Sequence, residues 1–245
     1  MQPPAPDFGR IAARYDELRP VDELWQEVFE TLVREGGLVA RRVLEVGCGT
    51  GALAVALAEL GARVWGIDAE PEMLAVARQR VPAGVGLKEG RAEALPFKDG
   101  WFDRVVMRLS LHLFDRPAAI AEARRVLGPG GRLAIATFDQ AHFDGFWLNA
   151  IYPRVAEIDR ARFPTLAQIE ADAAAAGFSA VHATRLSQRR TLGRAVALER
   201  IRGRYISTLQ LLDPAEYADG LARAERELPD EIEVQLEWLV VIAEA

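Results

Sequence analysis

The stretch Val43-Leu44-Glu45-Val46-Gly47-Cys48-Gly49-Thr50-Gly51 decides the reading of this chain. A short β-rich run stops at alternate glycines, and the apolar helical pattern of 52–60 follows, so the segment reads as strand, sharp turn and helix. Glycines allow the backbone to turn tightly and approach a ligand closely, with amide N–H groups and the next helix's N-terminus directed at it. A second β-rich run, Arg63 to Asp68, ends on an acid, and Pro71 then opens a helix that reaches about Arg80. An acid at that place is positioned to accept both hydroxyls of a ribose. Turn and acid together point to a nucleoside-containing cofactor. Gly47, Gly49 and Ala52 also satisfy the loose dinucleotide pattern GxGxxG/A, so the turn alone does not choose among such cofactors.

Working outward, the alternation continues. A third strand is expected near 85–89 and a fourth over Phe102 to Arg108. Ile120, Ala123 and Leu127 then mark a helix face that ends at Gly128-Pro129-Gly130-Gly131, before a fifth strand from Arg132 to Phe138. Thr165 and Gln168 stand in capping-box spacing at the start of a helix that Gly177 ends; strand six follows at about 180–187 and a last strand near 232–243. Strands alternating with helical patterns predict a parallel sheet with crossover helices. Two stretches depart from the alternation: 139–163, rich in aromatic residues, and the helical 193–230. Ligands of open α/β sheets bind beyond the carboxyl ends of the strands, so 139–163 is expected to roof a pocket. Residues 193–230 fit either a roof or a shield over hydrophobic surface.

Composition narrows the class. The 245 residues carry 30 basic and 36 acidic side chains, a net charge of −6, with 50% apolar and 27% charged residues, as in a soluble globular protein. The single cysteine, Cys48, excludes an intramolecular disulfide and a cysteine-based zinc site, and no metal centre is expected. MQPPAPDFGR lacks an apolar leader core, and no apolar run approaches the roughly 20 residues of a membrane span, so a cytoplasmic location is expected. An acidic total argues against a protein that coats nucleic acid non-specifically. Yet Arg185, Arg189, Arg190, Arg194, Arg200, Arg202 and Arg204 face only Glu199 within 185–204. With just two lysines, Lys88 and Lys98, in the whole chain, this cluster fits codon bias, solvated faces paired with nearby acids, or a clamp for an anionic substrate or an RNA backbone.

VLEVGCGTG (43–51), GIDAEPEML (66–74), GRAEALPF (90–97), FDRVVMRLSLHLF (102–114) and RRVLGPGGRLAIATF (124–138) resemble, in order and spacing, the motif set of class I S-adenosylmethionine-dependent methyltransferases, particularly the group containing the quinone C-methyltransferases. The resemblance spans about 8–138. It implies a Rossmann-like α/β fold: a seven-stranded, mostly parallel sheet with an antiparallel last strand, helices on both faces and a small helical addition. It also implies S-adenosyl-L-methionine as cofactor and S-adenosyl-L-homocysteine as product. Gly47, Cys48 and Gly49 would line the methionine part and Glu45 support its amine. Asp68 would hold the ribose, Ala69 and Met73 would lie along ribose and adenine, and Ala92 would offer its N–H to the adenine beside Glu93. Arg108 would contribute backbone near the methionine amine. FGRIAARYDELRP (8–20) is similar to a leader in which Tyr15 and Arg19 close over the cofactor. The pattern breaks at Arg91, where the family usually has Asp; a donor-only guanidinium cannot accept from the adenine amino group, leaving Glu93, a backbone carbonyl or packing alone to hold it.

If the cofactor brings the reactivity, the protein must align the acceptor, exclude water and, for a hydroxyl or amine, take a proton. His112 and His142 are the candidates for the last task, each also readable as a packing residue; His182 is expected to be structural. Phe143, Phe146, Trp147 and Tyr152 suit an aromatic or apolar small molecule, and Arg204 and Tyr205 are expected to face it. The expected organisation is a closing segment over 1–40, a catalytic core over 41–192 and 231–245, and a helical insertion over 193–230. Transfer of a methyl group to a small acceptor is the function expected. A tRNA-modifying methyltransferase and a non-catalytic cofactor-binding subunit are the alternatives, and the sequence leaves the oligomeric state open.

Overall fold

The protein is described by a computed structural model covering residues 6–245, so residues 1–5 of the expected closing segment lie outside the described residues. Helices α1 (Tyr15–Leu18) and α2 (Glu23–Gly36) precede β1 (Arg42–Val46). Then follow α3 (Ala52–Glu59), β2 (Arg63–Asp68), α4 (Pro71–Arg80), β3 (Gly86–Glu89) and β4 (Phe102–Arg108). Next come α5 (Arg116–Val126), β5 (Leu127–Phe138), α6 (Arg154–Arg162), α7 (Leu166–Ala175) and β6 (Ala180–Gly193). Finally α8 (Arg194–Arg202), α9 (Thr208–Leu211) and α10 (Pro214–Glu227) lead to β7 (Glu231–Glu244). The sheet order is β3-β2-β1-β4-β5-β7-β6. β7 runs antiparallel to both neighbours and the other pairings are parallel, giving the seven-stranded Rossmann-like sheet that the motif set implied.

Successive strand residues point to opposite faces, and both faces are apolar because both are covered. Leu44, Val105 and Leu133 pack with Ile120 and Ala123 of α5 and Ile169 and Ala173 of α7. Val43, Val106 and Ala134 pack on the other side with Val28 and Leu32 of α2 and Leu53 and Leu57 of α3. Side chains fix where helices begin: Asp22 and Asp115 accept from Trp25 N and Ala118 N, and the Thr165–Gln168 capping box is formed as its spacing predicted. Among the described residues no helix is long and apolar enough to cross a membrane.

Two boundaries differ from the sequence reading. β5 takes in Leu127 to Gly131, with a register shift opposite Phe102 and Arg104, where a helix end and turn were expected. β6 runs to Gly193 rather than about 187, because Leu186, Gln188, Arg190 and Leu192 continue one face while the charged Arg189-Arg190 pair hides the alternation. The last β5–β7 pair is Phe138 with Trp238. Beyond it, β6 and β7 continue as a two-stranded ribbon past the carboxyl end of β5. Around that ribbon α8, α9, α10 and the turn at Trp147–Ala150 form a satellite core of Leu148, Val155, Ile201, Leu209 and Val234. α10 approaches so closely that a Cβ on Gly220 would stand 1.9 Å from the Tyr152 ring. The ribbon thus carries the 194–227 helices to the edge of the sheet where its strand ends open.

Candidate active site

The turn after β1 is built around two carbonyls. Gly47 N and Cys48 N both donate to Ile67 O at the end of β2, and Gly51 N donates to Cys48 O. Gly47 has φ 76°, and a Cβ there would meet the Ser110 Cβ at 2.6 Å, so conformation and space both demand glycine. Ser110 itself donates to Val46 O at 2.8 Å, tying the loop after β4 to the end of β1. Asp68 closes the arrangement: its two carboxylate oxygens accept from Gly49 N at 2.7 Å and Glu70 N at 3.0 Å. Burial pushes the Asp68 carboxyl upward, against those backbone donors. Glu45 is buried, with Oε2 lacking any hydrogen-bond partner. Its carboxyl is raised well above the usual range by burial, with the Arg108 charge pulling the other way.

Two contiguous cavities open on this turn. The first, about 720 Å³, runs from Gly47, Gly49, Asp68, Ala69, Met73, Ala92 and Glu93 to a chamber walled by Phe138, His142, Phe143 and Phe163. The second, about 180 Å³, lies behind Glu45 and Cys48 and reaches Trp147, Arg200, Tyr205 and Trp238. Tyr15, Arg19, Arg108, Leu109 and His142 border both. The N-terminal segment is fastened over the turn, since Thr50 donates to Asp16 at 2.8 Å and Arg80 pairs with Asp16 at 3.1 Å. It is fastened to the ribbon helices as well, through Asp7 N to Gln210 and an Arg14–Glu199 ion pair.

Residues 44–135 match the family described as Methyltransferase domain. The demethylmenaquinone methyltransferase of Thermus thermophilus is 40% identical over 142 residues, covering 54% of this chain and 64% of that one. That of Tropheryma whipplei is 33% identical over 163 residues, covering 62% of this chain and 67% of the relative. The chain belongs to the class I S-adenosylmethionine-dependent methyltransferases. The YcgJ protein of Bacillus subtilis shares the fold, with a TM-score of 0.65 at 21% identity over 89% of this chain and 98% of its own. Matches to the curated relatives span between 50% and 67% of their lengths.

The residues present fit the family's cofactor. A carboxylate offers about four lone-pair directions; Asp68 borders the first cavity, and beyond the bonds from Gly49 and Glu70 it keeps acceptor capacity for ribose hydroxyls. The unpartnered Oε2 of Glu45 is an acceptor suited to an ammonium. Cys48 is packed under Gly66, whose added Cβ would meet its Sγ at 2.9 Å, and burial pushes the thiol upward, away from nucleophilic chemistry. Ala92 and Met73 are buried walls. Glu93 accepts from Asp115 N at 2.9 Å and pairs with Arg91 at 3.4 Å. Arg108 brings more than backbone: its guanidinium lies 5.1 Å from the Trp25 ring centre and 5.5 Å from that of Trp238.

Of the acceptor-side expectations, Phe143 borders the first cavity, Trp147 and Tyr205 the second. Arg204 borders neither; its guanidinium sits 3.7 Å over the Tyr217 ring and donates to Leu209 O at 3.3 Å. His112 stacks on Phe163 at 3.9 Å and His142 on Phe138 at 4.0 Å, each with a buried Nδ1 that has no partner. Burial holds His112 well below the ordinary value and His142 at about 4, so both are neutral near pH 7. Asp159 and Arg162 of α6 were not singled out from the sequence. Asp159 is buried, accepts from the Thr208 hydroxyl, stands 3.6 Å from Arg162 and borders the chamber. Val155, Ala156 and Asp159 share one buried helix face, but in the sequence RVAEIDRAR the surrounding charges hide it.

Proposed function

We propose that this protein is a methyltransferase that uses S-adenosylmethionine to methylate a small acceptor with an aromatic or apolar body. The observation that carries the reading is the continuity of one cavity of about 720 Å³ from the Gly47–Asp68–Ala92 cradle to the Phe138–His142–Phe143–Phe163 chamber. That volume is in the range of small-molecule sites. The bound cofactor supplies an electrophilic methyl group on a sulfonium. The chain's own residues do the rest: Asp68 and Glu45 hold the cofactor's polar groups, and the aromatic walls align the acceptor face and keep water out. His112 and His142, neutral at pH 7, can accept a proton at Nδ1, as can the ionised Asp159 carboxylate. Similarity to demethylmenaquinone methyltransferases supports a ring-bearing acceptor.

The arginine segment lends no support to an RNA substrate, because Arg185, Arg190 and Arg202 pair with Asp139, Asp22 and Glu225 and Arg200 is buried. The decisive experiment has two readouts. S-adenosylhomocysteine at about 100 times its dissociation constant should stabilise the fold by roughly 2.7 kcal/mol. Labelled methyl from the cofactor should enter the small-molecule fraction of a cell extract. Label in RNA or protein would overturn the acceptor class, binding without any transfer would point to a non-catalytic subunit, and stabilisation by NAD instead would overturn the cofactor.

A further inference from the structure

The second cavity, whose near wall is the cofactor cradle itself, holds on its far side a buried arginine, Arg200, that the methyl-transfer reading does not use. Four arginines from four separate elements border it: Arg19 after α1, Arg108 at the end of β4, Arg190 on the ribbon and Arg200 on α8. Three carboxylates border it too. Asp22 is taken by Arg190 at 2.6 Å and Asp16 by Arg80 at 3.1 Å, and Glu45 is the acceptor left for the cofactor's ammonium. Arg200 is 8% exposed, and the Nε atoms of Arg108, Arg190 and Arg200 are sealed from solvent without a hydrogen-bond partner. Arg200 stands 5.6 Å from the ring centre of Tyr205, which is also buried. A buried, unpaired guanidinium is costly unless an anion meets it.

The cofactor does not supply that anion in sufficient number. Its sulfonium and ammonium outnumber its single carboxylate, so the loaded site is more positive than the empty chain. Even with the cofactor's carboxylate on Arg19 or Arg108, which border both cavities, Arg200 remains unmatched on the far side.

We propose that the second cavity seats an acidic group of the acceptor, a carboxylate or phosphate, gripped by Arg200, while the acceptor's ring lies at the shared wall of Phe138, His142 and Phe146. The site rests on the methyltransferase reading for what the acceptor is, although the anion preference can be measured without it. Guanidinium forks match both oxyanions, and Arg200 is too deep to reach a nucleic-acid backbone.

The test is binding of benzoate and of phenyl phosphate against their neutral counterparts benzamide and benzyl alcohol, read from quenching of Trp147 and Trp238 fluorescence with S-adenosylhomocysteine saturating. The acids should bind at least tenfold more tightly than the neutral pair, and the tighter of the two acids identifies the group. Arg200→Met should cut the preference below threefold, Arg200→Lys should keep part of it, and both variants should bind S-adenosylhomocysteine within twofold of the parent. Equal binding of acid and neutral probes, or a preference that survives Arg200→Met, overturns the proposal. Joint loss of acid preference and S-adenosylhomocysteine affinity assigns Arg200 to the cofactor and overturns it as well. If S-adenosylhomocysteine fails to bind the parent, the methyltransferase reading fails, and the same comparison on the free chain still decides the anion site.

Discussion

Asp159→Asn should stabilise this protein, and by an amount that depends on pH. Burial lifts the Asp159 carboxyl from the ordinary 3.8 to about 6, because desolvation outweighs the Thr208 hydroxyl and the Arg162 charge. The folded state therefore binds a proton more tightly than the unfolded chain, so stability falls as pH rises through the window from about 4 to 6. Two pK units correspond to about 3 kcal/mol. Asparagine mimics the protonated acid and keeps an oxygen for Thr208, so the variant escapes that loss. Urea denaturation of parent and variant at one-unit steps from pH 4 to pH 8 reads the difference. It should be near zero at pH 4 and grow to an advantage of up to about 3 kcal/mol at pH 7 and above, with equal m values. A flat difference, or a variant less stable at pH 8, would refute the argument that burial rather than Arg162 sets the state of Asp159. If Asp159 takes the acceptor's proton, the same variant loses turnover at pH 8 while its binding of S-adenosylhomocysteine is unchanged, a trade of activity for stability.

His142→Gln should give a difference curve of opposite slope. His142 is held at about 4 against the ordinary 6.5, so the parent loses stability as pH falls from about 6.5 to 4 and the variant is relieved of that loss on the acid side, which the same urea series measures. Asp68→Ala should weaken S-adenosylhomocysteine binding tenfold or more by calorimetry, since hydrogen bonds to a charged group are worth about 1.5–3 kcal/mol each, with the fold retained; unchanged affinity would remove Asp68 from the site. Gly220→Ala should destabilise by 3 kcal/mol or so in the same urea assay, because the new methyl would overlap the fixed Tyr152 ring at 1.9 Å.

How far the sequence carried the reading depended on whether burial could be inferred from local pattern. The cradle was legible because Gly47, Gly49 and Asp68 act through backbone geometry and strand ends, which the glycine spacing and the alternation encode directly. The capping box of α7 was legible for the same reason. Asp159 was not, because an acid three residues from an arginine on a charged helix has the composition of a solvated face, and only the packing of Val155 in the ribbon-side core and of Ala156 with Phe143 and Phe163 buries that face. Asp16 escaped notice likewise: its role is to join Thr50 and Arg80 across the chain, a pairing made by tertiary structure alone.

The arginine segment 185–204 shows where composition stops being informative and period takes over. Codon bias and an anion clamp predict the same count of arginines, but they differ in which side chains turn inward. On β6 the inward face is Leu186, Gln188, Arg190 and Leu192, so Arg190 meets Asp22 and the cavity while Arg189, one residue away, is exposed. On α8 the buried face is Ala197, Arg200 and Ile201, so Arg200 is enclosed while Arg202 reaches out to Glu225. Period two carried along strand six as far as Gly193 separates Arg190 from Arg185 and Arg189, and period 3.6 along the helix that follows separates Arg200 from Arg202. The inward pair belongs to different elements that converge only because the ribbon overshoots β5. For that reason the overshoot, rather than the arginine content, is the feature to look for when asking whether a methyltransferase of this architecture takes a charged acceptor.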